Sequence, residues 1–198
     1  PQKLSAVSQS RAKVMKPYRN EIEGKHQWVI AAYPSEKWAE KCFPGDEDAY
    51  DRLWDAILKT VRVSEDNDPV KDWKTHTDFI EEKAVWLNEQ GFKSLHYKSA
   101  NGTDFTVELI PEARWEGAGV TNPLNGAFYI PNMPTEEIFT SPAAGKCEGT
   151  VVAVKPLSWN SQLIEDFSIT FENGRAVSCQ AGKGQDLLEQ MLRMDENA

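Results

Sequence analysis

Residues 132–142 read NMPTEEIFTSP, and the run 136–140 has β-type composition with two adjacent glutamates between prolines. Carboxylates are hard oxygen ligands for divalent metals and can bridge two of them. Held beside a bound water, they also act as general bases. Strand side chains alternate between faces, so Glu136 and Glu137 point to opposite sides and at most one serves a given site. Asp104 and Glu108, on a neighbouring hairpin, add two more acids. Solvated acids are routine on surface strands, so residue types alone leave both a metal role and a bland one open.

Other chemistries find less support. The three histidines, His26, His76 and His96, include no i, i+4 pair of the kind that holds a metal on a helix. Each reads as a packing or hydrogen-bonding residue. There is no Gly-x-Ser-x-Gly elbow for a nucleophilic serine. The stretch GAGVTNPLNG (117–126) is rich in glycine but lacks the Lys-Ser/Thr pair of a phosphate-binding loop, and it reads as a mobile loop. Cys42, Cys147 and Cys179 are an odd, widely spaced set, which fits neither a disulfide framework nor a zinc knuckle. Reduced thiols point to a cytoplasmic protein.

The 198 residues carry 31 acids against 22 bases, a net charge of -9. Such a surface repels phosphate and argues against a nucleic-acid partner. Lys3, Arg11, Lys13, Lys16 and Arg19 cluster near the N-terminus, where they read as the solvated face of a helix. A mean hydropathy of -0.57 and the lack of a membrane-length apolar segment argue against a membrane partner.

These side chains must be carried by an α/β scaffold of mixed character, helix-rich in its first half and β-rich in its second. Leu4, Val7, Arg11, Val14 and Met15 form a helical stripe that should stop near Pro17. HQWVIAAYP (26–34) is a continuous apolar run that reads as a buried strand. Ser35 caps a short helix, and Asp46 is expected to open a second with Tyr50, Leu53, Trp54, Ile57 and Val61 on one face. Asp68-Pro69 opens a third, with Val70, Trp73, Thr77, Ile80, Ala84 and Leu87 at three-four spacing and Gly91 as its stop. The period then changes. SLHYKS and TDFTVEL flank Asn101-Gly102, a hairpin signal. Strands are expected at 127–130, 136–140 and 149–155. LIEDFSITF, the turn ENG and RAVSCQA make a second hairpin, followed by a terminal helix with Leu187, Leu188, Met191 and Leu192. The expected division is 1–92, a helix-rich α/β part of an N-terminal domain, and 93–198, a β-rich part with the Thr-Glu-Glu motif.

NMPTEEIFTSP, with QWVIAAYPSEKWAEKCFP, DPVKDWKTH, LNEQGFKSLHYKSANGTDFTVEL and VKPLSWNSQLIEDFSITFENGRAVSCQAGKGQDLL in order around it, resembles the thermophilic-type metallo-aminopeptidases, the family of aminopeptidases T and S and PepS-like enzymes. The resemblance covers essentially the whole chain. It implies a homodimeric exopeptidase that removes the N-terminal residue of peptide substrates with two divalent metal ions, zinc or cobalt, around an activated water. Two glutamates, two histidines and an aspartate hold these ions in the family. The second glutamate of the Thr-Glu-Glu pair is a ligand there, which nominates Glu137 here and leaves Glu136 as a supporting or solvent-facing neighbour.

None of the three histidines matches a ligand position of the family. The chain therefore looks like an internal fragment with one ligand of five. Alone it is expected to bind metal poorly or hold no ion, and to be catalytically silent. The competing reading is a non-catalytic peptide-binding or self-association domain that keeps the aminopeptidase fold.

Overall fold

In the computed structural model the described residues are 2–22, 25–159 and 162–194. In chain order the first half comprises α1 (Gln2–Ile22), β1 (Ile30–Ala31), α2 (Glu36–Cys42), α3 (Ala49–Thr60) and α4 (Pro69–Gln90). There follow β2 (Ser94–Lys98), β3 (Asp104–Leu109), β4 (Glu116–Gly117), β5 (Val120–Thr121), β6 (Phe128–Tyr129), β7 (Asn132–Met133) and β8 (Ile138–Phe139). The chain continues through β9 (Pro142–Val152), β10 (Leu157–Trp159), β11 (Gln162–Glu172), β12 (Arg175–Lys183) and α5 (Gln185–Leu192). This is an α/β chain with helices first, strands second and a terminal helix. Among the described residues, no helix is long and apolar enough to cross a membrane.

The contacts separate two compact units that interleave along the chain. One contains residues 18–89 and 115–139, the other 1–17, 90–114 and 140–198.

The helical unit forms where capping and periodicity agree. Ser35 Oγ accepts from the Trp38 backbone N–H at 3.3 Å and starts α2. Ala39 on α2 packs with Ala49, Leu53 and Ile57 of α3 in a buried cluster flanked by Phe43 and Tyr50. Each fully buried Leu or Ile there contributes about 1.5–3 kcal/mol. Asp46 does not cap α3, contrary to expectation. Asp48 occupies the cap position, and the Asp46 carboxylate instead accepts from the Asp48 N–H and the Arg52 guanidinium. Asp68 does cap α4, accepting from the Lys71 N–H at 3.1 Å. Trp73, Thr77, Ile80 and Ala84 are its buried stripe. Val70, at the predicted start of that stripe, is 82% exposed.

Two further expectations give way here. The apolar run 26–34 contributes only the two residues of β1, which pair in parallel with Asn132–Met133 of β7. Trp28, Val29, Ile30 and Tyr33 are exposed, because a pair of two-residue strands has no covering layers of the kind that buries a larger parallel sheet. Helix α1 passes through Pro17 to Ile22. A proline within a helix forfeits one backbone hydrogen bond, and good helix formers on either side continue the turn. The side chain of Leu4 lies outside the described residues.

In the other unit β11 is the central strand. It pairs antiparallel with β12, β9 and β10, and β9 continues the sheet to β3 and β2. The predicted hairpins are both present, with Ser94↔Glu108 to Lys98↔Asp104 in the first and Glu172↔Arg175 closing the second. Asn173 and Gly174 at that turn have φ of 52° and 75°, the left-handed pair that a tight hairpin needs. Strand β9 starts at Pro142, earlier than the expected 149. Ile164 of β11 and Leu188 of α5 are its most buried side chains.

Candidate functional site

Glu136 and Glu137 are not in a strand. Only Ile138 and Phe139 pair, with Glu116–Gly117 of β4, and the two glutamates occupy an irregular segment between β7 and β8. The prolines do not bracket a strand as expected: Pro134 follows a cis peptide bond after β7, and Pro142 is the first residue of β9. The two carboxylates meet different surroundings.

Glu136 is engaged. Its Oε1 lies 2.7 Å from Arg62 Nη2, and its Oε2 lies 3.4 Å from His76 Nε2. Arg62 follows α3 in the left-handed region, φ 57°. Several contacts fix it there. Its guanidinium lies over the Trp73 ring at 5.2 Å. Its carbonyl accepts from Asn67 Nδ2 at 2.8 Å, and that amide also reaches Asp72.

His76, on α4, faces the same segment. Its Nε2 is 2.7 Å from the carbonyl oxygen of Thr135, and its Nδ1 is 3.1 Å from Arg62 Nη2. A carbonyl can only accept, and an arginine can only donate. The neutral tautomer with hydrogen on Nε2 satisfies both contacts, so the ring is read as a hydrogen-bond donor to Thr135 and an acceptor from Arg62.

Glu137 is different. Among the described residues no hydrogen bond or ion pair engages its carboxylate. It lines a cavity of about 230 Å³ together with Trp28, Glu116, Asn132, Thr135 and Phe139. The strand register places Glu116 opposite Phe139. Glu137 precedes Phe139 by two residues, consistent with all three bordering one space. Gly117 lies against the Glu137 backbone: a Cβ added there would stand 2.8 Å from the Glu137 carbonyl oxygen.

The other candidate acids are elsewhere. Asp104 and Glu108 belong to the sheet unit and not to the unit that carries Glu136 and Glu137. Asp104 accepts from His96 Nε2 at 2.7 Å and contacts Lys98 Nζ at 3.1 Å. The His96 hydrogen bond first, and Lys98 after it, hold the Asp104 carboxyl below the ordinary aspartate range. The three cysteines are unpaired thiols.

The stretch 117–126 is more ordered than a plain loop. It contains the end of β4 and all of β5, and Asn122 within it is buried, with its Oδ1 accepting from the Leu124 N–H at 2.9 Å.

The sequence pattern nominated the two glutamates but not Arg62, His76 or Gly117. The contact from His76 to Thr135 spans 59 residues, beyond any local spacing rule. The Gly-Ala-Gly composition at 117–119, read above as part of a mobile loop, is the local signal that could have pointed to close backbone approach.

Among the described residues, the segment thus brings one engaged acid and one unengaged acid to the neighbourhood of a cavity, and comparison with known proteins defines the class. The profile of the thermophilic metalloprotease (M29) family matches residues 1–198, and the chain belongs to that family. It is 41% identical over 199 residues to aminopeptidase AmpS of Bacillus subtilis (strain 168), covering 99% of this chain and 48% of that protein. Aminopeptidase T of Thermus aquaticus is 37% identical over 201 residues, with 48% of its length covered. The solved structure of wild-type AmpT from Thermus thermophilus superposes with a TM-score of 0.89 at 34% identity, over 99% of this chain and 48% of that one. The chain thus spans about half the length of the curated relatives it matches.

The family is, by its description, one of metalloproteases. Glu137 is a hard oxygen donor whose side chain has no hydrogen-bond or ion-pair partner among the described residues, and it is one of the residues lining a cavity. The described residues do not complete a site, since no group of three or more His, Cys, Asp or Glu is placed to hold an ion.

Proposed function

We propose that this chain is part of a metallo-aminopeptidase that hydrolyses the N-terminal peptide bond of peptides, and that Glu137 contributes one ligand to its metal centre. The observation behind this reading is the division of labour in the Thr-Glu-Glu segment: Glu136 is engaged by Arg62 and His76, and Glu137, which lines a cavity, has no hydrogen-bond or ion-pair partner among the described residues. The names of the relatives supply the activity, and the family supplies the metal.

The finer assignments are two ions, zinc or cobalt, in a cytoplasmic homodimer. When bound, such ions acidify a water and polarise a carbonyl. The part played by this chain's residues is orientation. Glu137 offers an oxygen donor, the Glu136 side and Gly117 fix the backbone that carries it, and Trp28 and Phe139 give the cavity apolar walls.

Because the described residues provide no complete ligand set, the 198-residue chain alone is proposed to be silent. Metal titration and peptide hydrolysis on this chain, beside a polypeptide spanning the relatives' full length, test the proposal. In the longer protein Glu137→Ala should abolish metal-dependent hydrolysis, and Glu136→Ala should weaken it less. Hydrolysis by the 198-residue chain with added zinc or cobalt would overturn its silence, and equal losses in the two variants would overturn the assignment of Glu137. A longer protein that binds peptide yet never hydrolyses it with either metal would support a non-catalytic peptide-binding domain.

A further inference from the structure

The supports on either side of Glu137 carry an inference beyond the ligand itself, and it rests on the reading of Glu137 as a ligand. We propose that His76 and Arg62 form a clamp that sets the position of the Glu137 carboxylate by holding the residues before it. They are positioning residues. Neither borders the cavity that Glu137 lines.

The two arms of the clamp are unequal. The Arg62–Glu136 ion pair is 2.7 Å long, but the Glu136 side chain is 58% exposed, and pairs that wet are screened and weak. The His76 side chain is only 12% exposed, and its Nε2–H donates to the Thr135 backbone at 2.7 Å. A half-buried bond to the main chain restrains the segment more than an exposed bond to a side chain does. His76 is therefore the principal arm, and Arg62 orients it by donating to Nδ1 at 3.1 Å.

The clamp is braced by contacts that do not involve Glu136. Asn67 holds the Arg62 carbonyl, and Trp73 stacks beneath the guanidinium and meets the His76 ring edge-on at a centroid distance of 5.6 Å. Beyond Glu137, Gly117 lies so close to the Glu137 carbonyl that no side chain fits between them. The segment is thus gripped at Thr135–Glu136 and again at the Glu137 carbonyl. With no described side-chain partner, Glu137 owes its placement to this backbone, which holds the Cα from which its side chain leaves. Partners that orient a ligand without touching the metal commonly govern metal affinity.

The test uses the polypeptide of the relatives' full length, loaded with zinc, in wild-type, His76→Phe, His76→Gln, Arg62→Met and Glu137→Ala forms. Two readouts are taken: the rate of zinc transfer to a chromogenic chelator, and the rate of cutting after Glu136 or Glu137 by a glutamyl-specific endoprotease in the metal-free protein. His76→Phe should release zinc about 10- to 100-fold faster, the range for lost orienting partners. It should also be cut several-fold faster at the loop. His76→Gln keeps an N–H that can reach the Thr135 carbonyl, so both rates should stay near wild type. Arg62→Met should shift both rates in the same direction as His76→Phe but less, and it decides the matter if His76→Phe does not fold.

Unchanged release and unchanged cutting in folded His76→Phe, or in folded Arg62→Met where His76→Phe does not fold, would overturn the clamp. So would a His76→Gln protein that behaves like His76→Phe. Glu137→Ala is expected to lose zinc. Zinc retained by that variant would overturn the ligand reading and, with it, the clamp's role in metal binding, and the cutting rates then still show whether His76 holds the segment.

Discussion

The indole Nε1 of Trp73 donates to the carbonyl oxygen of Val61 across 2.6 Å. Val61 is the C-terminal cap of α3, and Trp73 is buried on α4, so one hydrogen bond joins the two helices at the base of the Arg62 turn. Carbonyls at a helix end have no partner within the helix, and this one finds it in a side chain. Trp73→Phe keeps an aromatic ring but leaves the carbonyl unpaired in a half-buried place. The expected loss is about 2 kcal/mol in urea unfolding, combining the unsatisfied acceptor with lost packing. A loss within experimental error of zero would show that water replaces the indole at no cost.

Two glycines with similar backbones should respond differently to alanine. Gly149 has φ 104° and sits on β9 opposite Phe105, where an added Cβ would fall 2.1 Å from the Asp104 carbonyl oxygen. Gly45 has φ 76°, and a Cβ there meets nothing within 4 Å. Gly45→Ala bears only the left-handed backbone penalty, about 1 kcal/mol. Gly149→Ala adds a collision with backbone that cannot rotate away, and should cost roughly 3 kcal/mol or more. Similar shifts in unfolding midpoint for the two variants would refute the close approach of β9 to β3.

Asp104 supplies a pH dependence whose sign follows from its partners. The His96 hydrogen bond and the Lys98 ammonium lower its folded pKa from the ordinary 3.8. The unfolded chain therefore binds the proton more readily, and the pairing stabilises the fold above that value. As pH falls below 3.8 toward the lowered folded value, that stabilisation disappears. The difference in melting temperature between wild type and Asp104→Asn should be steady at mildly acidic pH and shrink below pH 3.8. A difference that grows on acidification would contradict the sign.

The contrast between what was legible and what was not follows the range of the interactions. Ser35 and Asp68 announced their helices because a cap acts within three residues, and Asn173-Gly174 announced its hairpin because the turn fixes the strand register. The run 26–34 misled because apolar content reports a demand for burial, while burial itself depends on which strands arrive alongside, and β7 supplies only two residues. Pro17 misled because a proline's cost of one hydrogen bond does not by itself end a long helix. At the site, the two glutamates were legible as a motif, but the strand expected to send them to opposite faces does not form at 136–137. The partners of Glu136 were not legible, since Arg62 and His76 reach the segment from distant parts of the chain.

Gly117 offers the last test, because its surroundings can be separated by a double-mutant cycle. A Cβ there would meet Ile80 Cγ2 at 2.7 Å as well as the Glu137 carbonyl oxygen. Ile80 is 3% exposed, so its side chain has little room to yield, and Gly117→Ala should cost about 2 kcal/mol through overpacking. Ile80→Ala alone should cost about 3 kcal/mol as a cavity in the helical unit. In the double variant the new methyl enters space that Ile80 vacated, relieving one of the two collisions. The combined loss should then fall short of the sum by about 1 kcal/mol, within the range seen for residues in contact. Strict additivity in urea unfolding would mean that the collision with the Glu137 backbone alone sets the cost of the methyl.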